Sequence, residues 1–309
     1  MIYHFGIFDQ FSIFAEEKYI KAMEHCNSLR ISPPKTQLLK WVGNKQKHAV
    51  QIAKHFPSYY STFYEPFLGS AAIIATVSPD RGIGSDIFSP LMEIWEKLSS
   101  APDELVSWYR ERRELIDETN KIDVYNKIRD SYNKNPNGAD FLFLSRACYG
   151  GIVRFRKSDG YMSTPCGAHT PISTASFEKR VAEWKVRLKN IEFKRMDYKD
   201  AFAQAKMNDF IYCDPPYHFS QSILYGAQNF NLAELFEEID KAKSRGVKIA
   251  LSIDGQKKSG KIVCDFSIPN GLFKQEISIN CGNSMLRRFQ IEGEQLNNEI
   301  VSDRLLLTY

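Results

Sequence analysis

Short apolar runs alternate with longer helical patterns over most of this chain, and this alternation constrains its fold more than any other feature. The run 61–64 precedes Gly69 and a helical pattern. Runs of the same kind return at 210–213, 248–252 and 305–307. A repeated order of strand and helix covers both faces of a mainly parallel sheet. The sequence therefore predicts an α/β fold with a doubly wound sheet.

The alternation is interrupted between about residues 90 and 190. This part contains a charged helical pattern over 103–129, a turn at 135–138 and a Gly- and Arg-rich stretch over 149–169. Such a change of pattern predicts an inserted, mostly helical substrate domain. The predicted division is an N-terminal extension of open role (1–35), a sheet domain in two parts (36–90 and 191–309) and the insert (91–190).

Composition narrows the classes of protein to which the chain can belong. A formal net charge of +4 permits a nucleic-acid partner without requiring one, because any basic surface must be local. The six cysteines are scattered without a CxxC pair, and no histidine stands at zinc-ligand spacing. We therefore expect reduced thiols, a cytoplasmic location and no metal. No apolar run reaches membrane-spanning length, so we expect no membrane partner.

The tetrapeptide Asp214-Pro215-Pro216-Tyr217 follows the apolar run 210–213. A buried parallel strand ends at the sheet edge where α/β proteins bind ligands, so this position suits catalysis. The Asp214 carboxylate and the Pro215 carbonyl can accept both N–H groups of an amino group on a flat ring. Its lone pair then points towards an electrophilic methyl group. Tyr217 can stack on the ring. The alternative interpretation of the whole tetrapeptide is a proline-rich turn with a helix-capping acid.

Three acids stand at predicted strand ends, where they can surround a cationic cofactor. Glu65 precedes Gly69, a residue suited to a tight strand-to-helix turn, and Asp86 falls at the end of the next predicted strand. Asp197 follows the run 191–194. Each acid has an alternative role: a solvated strand end for Glu65, a helix N-cap for Asp86, and a turn or N-cap for Asp197. A sulfonium cofactor carries positive charge, so three acids around its pocket would be electrostatically favourable.

In this order the segments resemble the bacterial DNA adenine N6-methyltransferases of the Asp-Pro-Pro-Tyr class (the alpha group, similar to the GATC-type adenine methylases). The resemblance implies a Rossmann-like methyltransferase sheet with S-adenosylmethionine as methyl donor. It runs from about residue 40 to 309 on five segments: Lys40-Trp41-Val42-Gly43-Asn44-Lys45, Glu65-Pro66-Phe67-Leu68-Gly69-Ser70, Ser85-Asp86-Ile87, residues 141–167 and Tyr212–Tyr217. The catalytic set it implies is Asp214, Pro215, Pro216 and Tyr217. The predicted cofactor set is Trp41, Lys45, Glu65, Phe67, Gly69, Asp86, Asp197 and Asp214.

The segment 149–156 resembles the hairpin with which this family reads and wedges DNA. Arg154 is the predicted base reader, because arginine can donate two hydrogen bonds to guanine O6 and N7. Gly150-Gly151 stands where the family often has Asn-Gly, so the recognised sequence stays open. A solvated basic loop that touches only phosphate is the alternative. The predicted set for double-stranded DNA is Lys40, Tyr149, Ile152, Arg154 and Arg156.

Two alternatives to adenine methylation in duplex DNA stay open. Related amino methyltransferases act on cytosine N4, on RNA or on protein glutamine. Asp at the first tetrapeptide position favours adenine, and the arginine hairpin favours duplex DNA over RNA, whose deep major groove is closed to such readout. A catalytically inactive DNA-binding homologue is the second alternative. The predicted role is restriction-modification or phage or host DNA modification, with a cognate restriction endonuclease as candidate functional partner and the oligomeric state open.

Overall fold

The computed structural model describes residues 31–216, 230–257, 262–263, 267–283 and 300–309. Tyr217 and nearly all of the predicted N-terminal extension, residues 1–30, lie outside the described residues. Within the described part, strands and helices alternate as the sequence predicts.

A mixed sheet organises the described chain. Its strands are β1 (Phe63–Glu65), β2 (Gly82–Asp86), β3 (Ile191–Arg195), β4 (Phe210–Cys213), β5 (Lys248–Lys257), β6 (Ile262–Val263), β7 (Gln275–Asn283) and β8 (Ile300–Leu307). They lie in the order β3-β2-β1-β4-β5-β8-β7, and β6 pairs with β5. β1 to β5 run parallel, whereas β8 is antiparallel to both of its neighbours. This is the predicted α/β sheet with an antiparallel edge.

The strand order reverses at β1. The chain passes from β1 to β2 and β3 on one side, and then returns to β4 on the other side of β1. The carboxyl ends of β1 and β4 therefore flank a topological switch point, where open α/β sheets bind ligands. Glu65 ends β1, and Asp214 directly follows β4. The sheet topology alone thus brings two of the predicted site residues to one edge.

Helices cover both faces of the sheet. α1 to α7 contribute buried side chains to one hydrophobic cluster, and α8 and α9 contribute to a second cluster on the other face. Their bounds are α1 (Ala49–Ala53), α2 (Ala72–Val77), α3 (Ser89–Ser100), α4 (Pro102–Arg113), α5 (Lys121–Lys134), α6 (Gly138–Ala147), α7 (Thr174–Arg187), α8 (Tyr198–Gln204) and α9 (Leu232–Ser244), with a 3-10 turn over Tyr149–Gly151. None of the helices described is long and apolar enough to cross a membrane.

β4 shows why its sequence is a continuous apolar run. Phe210 and Tyr212 belong to the first cluster, whereas Ile211 and Cys213 belong to the second. Successive side chains of a strand point to opposite faces, so a strand covered on both faces needs apolar residues at every position. The tetrapeptide that follows β4 therefore begins where a fully buried strand emerges from the core.

The interruption between β2 and β3 holds α3 to α7 and is mostly helical, as predicted. The Trp95 ring of α3 lies 5.9 Å from Phe193 of β3 and 5.6 Å from Trp184 of α7, so the insert shares a core with the sheet. The insert also contains the expected hairpin, in which Phe155 and Met162 form an antiparallel bridge. The division into domains at 91 and 190 stays a prediction.

Candidate active site

Three acids lie on neighbouring strand ends at the carboxyl edge of the sheet. β1 pairs directly with β2 and β4, so Glu65, Asp86 and Asp214 surround the switch point. Glu65 and Asp86 are buried, and the side chain of Asp214 is 17% exposed. The described residues contain no group of His, Cys, Asp and Glu side chains placed to hold a metal ion. The edge is therefore an acidic site in which Asp214 is more exposed than Glu65 and Asp86.

Lys45 links the segment before α1 to the residue that follows β4. Its Nζ lies 2.9 Å from Asp214 Oδ1 and 3.6 Å from Asp303 Oδ2 of β8, and its side chain is almost fully buried. Burial alone lowers the pKa of Lys45, but the two carboxylates outweigh it and hold that pKa above its ordinary value. Lys45 is therefore a buried cation, and it anchors Asp214.

Glu65 reaches from the end of β1 to the start of α2. Its Oε2 accepts a hydrogen bond of 2.8 Å from the backbone N–H of Ile74. Burial raises the pKa of Glu65 well above its ordinary value, the Ile74 N–H opposes this rise, and the charge of Asp214 adds to it. A positive charge placed beside Glu65 would favour its ionised form.

Asp86 organises the glycine turn that follows β1. Its Oδ2 accepts from the N–H of Gly69 at 3.2 Å, and its Oδ1 accepts from the N–H of Phe88 at 3.1 Å. Burial raises the pKa of Asp86 to about 6, although these N–H groups favour the carboxylate. The N-cap residue of α3 is Phe88, with no capping side chain, so the N-cap alternative for Asp86 is wrong. Asp86 instead ties the ends of β1 and β2 together.

Gly69 occupies a position that suits no other residue. Its φ is +45°, a left-handed value that glycine adopts at little cost. A Cβ at this position would lie 2.6 Å from Trp41 Nε1, and the Gly69 carbonyl accepts a 3.0 Å hydrogen bond from Trp95 Nε1. Two indole rings therefore pack against this glycine, and the glycine brings Trp41 to the same edge as Asp86.

Aromatic rings and a helix cap border the other side of the edge. Phe67 stacks on Tyr198 at 5.2 Å, and Phe230 meets Phe67 edge-on at 5.8 Å. Asp197 is the N-cap of α8, and its side chain accepts a 2.9 Å hydrogen bond from the N–H of Lys199. The capping alternative for Asp197 is thus present in the structure, and its cofactor role stays a prediction.

The hairpin with the β-bridges Cys148–Cys166 and Phe155–Met162 begins beside the segment that carries Trp41 and Lys45. A Cβ on Gly151 would lie 3.0 Å from Lys40 Cβ, so the backbone of the hairpin packs on the lysine stem. Tyr149 is 47% exposed, Ile152 is half-buried and Arg154 is exposed. The predicted DNA-contacting residues on these two segments therefore share one surface region.

Arg156 makes its contacts inside the hairpin turn. Its Nε and Nη2 donate to the two carboxylate oxygens of Asp159 at 3.1 and 2.7 Å, and its guanidinium lies 4.3 Å from the ring of Tyr161. A bidentate pair of this kind fixes the direction of the guanidinium. Arg156 therefore shapes the turn, and its predicted contact with DNA would have to compete with Asp159.

The geometry of this edge agrees with a family-model match. The model of the D12 class N6 adenine-specific DNA methyltransferases matches residues 41–276, well over half of the chain. The chain belongs to this family. Its reaction is site-specific methylation of adenine in DNA, and the cytosine, RNA and inactive alternatives are not favoured.

Two of the named relatives of this D12 class methyltransferase are DNA adenine methylases, and a third is named a type II methyltransferase. It is 28% identical over 243 residues to a type II methyltransferase of Methanocaldococcus jannaschii, covering 69% of this chain and 82% of the relative. It is 26% identical over 226 residues to the DNA adenine methylase of Vibrio cholerae, covering 69% and 79%. It is 30% identical over 183 residues to the DNA adenine methylase of Escherichia coli K12, covering 58% and 64%.

Sequence reasoning missed two features of the D12 class site. Asp303 lies in the middle of β8 and contacts Lys45, although no motif surrounds it. Tyr198 and Phe230 form an aromatic group with Phe67 although they come from separate parts of the chain. The one usable signal is the position of the acid two residues before Leu305 on the strand, because a charged residue on a buried face usually has a specific partner.

Proposed function

We propose that this chain transfers a methyl group from S-adenosylmethionine to N6 of an adenine that has left the stack of duplex DNA. The observation that carries the proposal is the position of Asp214. It directly follows the buried strand β4 at the switch point, and one of its carboxylate oxygens is paired with Lys45. The cofactor supplies an electrophilic methyl group on a sulfonium. The side chains and backbone of this protein bind and orient the reacting groups.

Asp214 and Pro215 orient the amino group. An ionised carboxylate has about four lone-pair sites, so Asp214 can accept an N–H from adenine in addition to the one from Lys45. The Pro215 carbonyl accepts the second N–H, and both acceptors draw the nitrogen lone pair out of conjugation with the ring. Tyr217, outside the described residues, would stack on the base, a contact of about 1–3 kcal/mol that offsets part of the unstacking cost.

The acidic edge fits the cofactor by the chemistry of its groups. Asp86 can accept hydroxyl hydrogens of a ribose, and buried Glu65 gains from a nearby positive charge. Phe67 and Trp41 offer aromatic surface beside the glycine turn. We assign Lys45 a role on Asp214 in addition to its predicted cofactor contact, since it touches that carboxylate directly.

Cofactor binding is expected to weaken as the pH falls through about 6. Burial raises the pKa of Asp86 to about 6, and only its ionised form accepts two ribose hydroxyl bonds. One unit below that pKa about a tenth of the carboxylate stays ionised, so the Kd should rise roughly tenfold. Isothermal titration calorimetry between pH 5 and pH 8 measures the cofactor Kd. The Asp86→Asn substitution should flatten the dependence of this Kd on pH. An unchanged slope in the Asn variant would assign the titration to another group.

The hairpin is proposed to read DNA. Arg154 is exposed, lies near Tyr149 and Ile152, and shares a surface region with Lys40. An arginine that pairs with guanine contributes about 1–3 kcal/mol of discrimination. Arg156 joins it only if DNA displaces Asp159.

Arg154→Ala is expected to lower kcat/KM on the cognate sequence by roughly 5- to 150-fold and to relax discrimination at one base pair. Arg110→Ala, which removes an exposed arginine from α4, is the matched control and should leave kcat/KM unchanged. Methylation of a library of duplexes that differ at each site position provides the readout. A uniform loss over all sequences would reduce Arg154 to a phosphate contact.

Acceptor competition tests the proposed substrate. The protein is incubated with methyl-labelled cofactor and equal amounts of duplex DNA, structured RNA and protein. Label should enter DNA and be absent from the other two. Label in RNA or protein would overturn the substrate assignment. The proposal extends to a cytoplasmic location and to a cognate restriction endonuclease as functional partner. Modified-base sequencing of the host genome would test the partnership, because it identifies the recognised site.

A further inference from the structure

The second acid beside Lys45 has no role in the proposed chemistry so far. Asp303 lies on β8 in a row with Leu305 and Leu307, both of which are buried in the first hydrophobic cluster. Residues two apart on a strand share a face, so Asp303 occupies a position at which a core side chain would be expected. A carboxylate there costs free energy unless it is paired. Lys45 is its partner, at 3.6 Å.

The side chains of Asp303, Lys45 and Asp214 form a row of charged groups from β8 to the residue that follows β4. Lys45 Nζ stands between Asp303 Oδ2 and Asp214 Oδ1, and these contacts join three segments of the fold that are distant in sequence. Lys45 alone with Asp214 would make a neutral pair. Asp303 adds a second negative charge beside Lys45, which is then shared between two carboxylates.

That charge matters for the transfer step. The N6 lone pair forms the new bond to the methyl carbon, the carbon–sulfur bond breaks, and its electron pair stays on sulfur. The nitrogen carries positive charge until one of its protons passes to solvent water. A carboxylate beside N6 stabilises this charge, and it does so less when a lysine neutralises it.

We propose that Asp303 is a positioning residue of this methyltransferase, which shares Lys45 with Asp214 and so keeps the Asp214 carboxylate fixed while leaving the site negative. This inference rests on the proposed function of Asp214. Asp303 acts through Lys45 and does not touch the base. It therefore affects the rate of transfer and has little effect on the binding of DNA or cofactor.

Asp303→Asn tests the proposal, because it removes the charge and keeps the shape. We expect kcat to fall roughly tenfold, with KM for DNA and for the cofactor within about twofold of the wild-type values. Asp303→Glu restores the charge and should recover most of kcat. Glu276→Gln is the control, since it breaks the Arg304 ion pair on the other face of the same strand and should leave kcat unchanged.

A double-mutant cycle separates positioning from a purely structural role. In a Lys45→Met background, Asp303→Asn should have no further effect on kcat, since the residue through which it acts is gone. Thermal unfolding of each variant checks the fold. If Asp303→Asn does not fold, Asp303→Ser takes its place with the same criteria.

The possible failures are distinguishable. If the wild-type protein methylates no DNA, the proposed function is wrong. If wild-type transfer is intact and Asp303→Asn keeps the wild-type kcat, the role of Asp303 is wrong. The role is equally wrong if kcat falls by the same factor with Lys45 present and absent.

Discussion

Asp214→Asn is expected to lower the rate of methyl transfer by about 10²–10³-fold, the largest effect of any single substitution in this protein. The amide oxygen can still accept one hydrogen bond, but it cannot stabilise the positive charge that develops on N6. Lys45 also loses one of the two carboxylates that hold it. Single-turnover transfer at saturating DNA and cofactor measures the effect without a contribution from binding.

Asp209→Asn is the matched control for this substitution. Asp209 is a buried acid at the other end of the same segment, directly before β4, where its Oδ2 accepts from the N–H of Lys206. It lies at the amino edge of the sheet, away from the site, so its single-turnover rate should match the wild type. If Asp214→Asn retained more than about a tenth of the wild-type rate, the catalytic role of Asp214 would be refuted.

Gly69→Ala is expected to produce the second largest effect, through the cofactor. The left-handed φ costs alanine about 1–2 kcal/mol, and the added methyl would lie 2.6 Å from Trp41 Nε1. The indole or the turn must move, and the turn carries the N–H that Asp86 accepts. We expect the cofactor Kd to rise at least roughly tenfold and the free energy of unfolding to fall by about 1–3 kcal/mol.

Gly271→Ala isolates the contact from the backbone strain. Gly271 also has a left-handed φ, at +76°, but a Cβ there meets nothing within 4 Å. The backbone strain should lower the free energy of unfolding of this variant by about the same amount, and the cofactor Kd should stay at the wild-type value. Titration calorimetry and chemical unfolding of both variants give the comparison. Equal Kd values for the two would show that Trp41 and the glycine turn do not form the cofactor site.

The strand ends of the site could be predicted from sequence because their signals are local. β4 is apolar at every position since both of its faces are covered, and the tetrapeptide follows it directly. Asp86 ends β2 in the same way. The carboxyl edge of a parallel sheet then brings these ends together without any knowledge of packing.

The partners of these residues could not be predicted, because they are set by tertiary contacts. The sequence predicts a cofactor contact for Lys45, which stays a prediction, but it does not reveal the ion pair with Asp214 from a distant part of the chain. Asp303 carries no motif, and only the pairing of β8 with β5 brings it to the site. Arg156 looks like a free basic residue in sequence, but Asp159 accepts hydrogen bonds from Nε and Nη2 along one edge of its guanidinium.

Analysis of the methylated nucleoside tests the central claim most directly. Duplex DNA is incubated with the protein and S-adenosylmethionine, digested to nucleosides and examined by mass spectrometry, in parallel with the Asp214→Asn variant. Adenine methylated at N6 should be the sole product of the wild-type protein and should be strongly reduced with the variant. Cytosine methylated at N4, or DNA without any methylated base, would contradict the assignment of Asp214 and its neighbours to adenine.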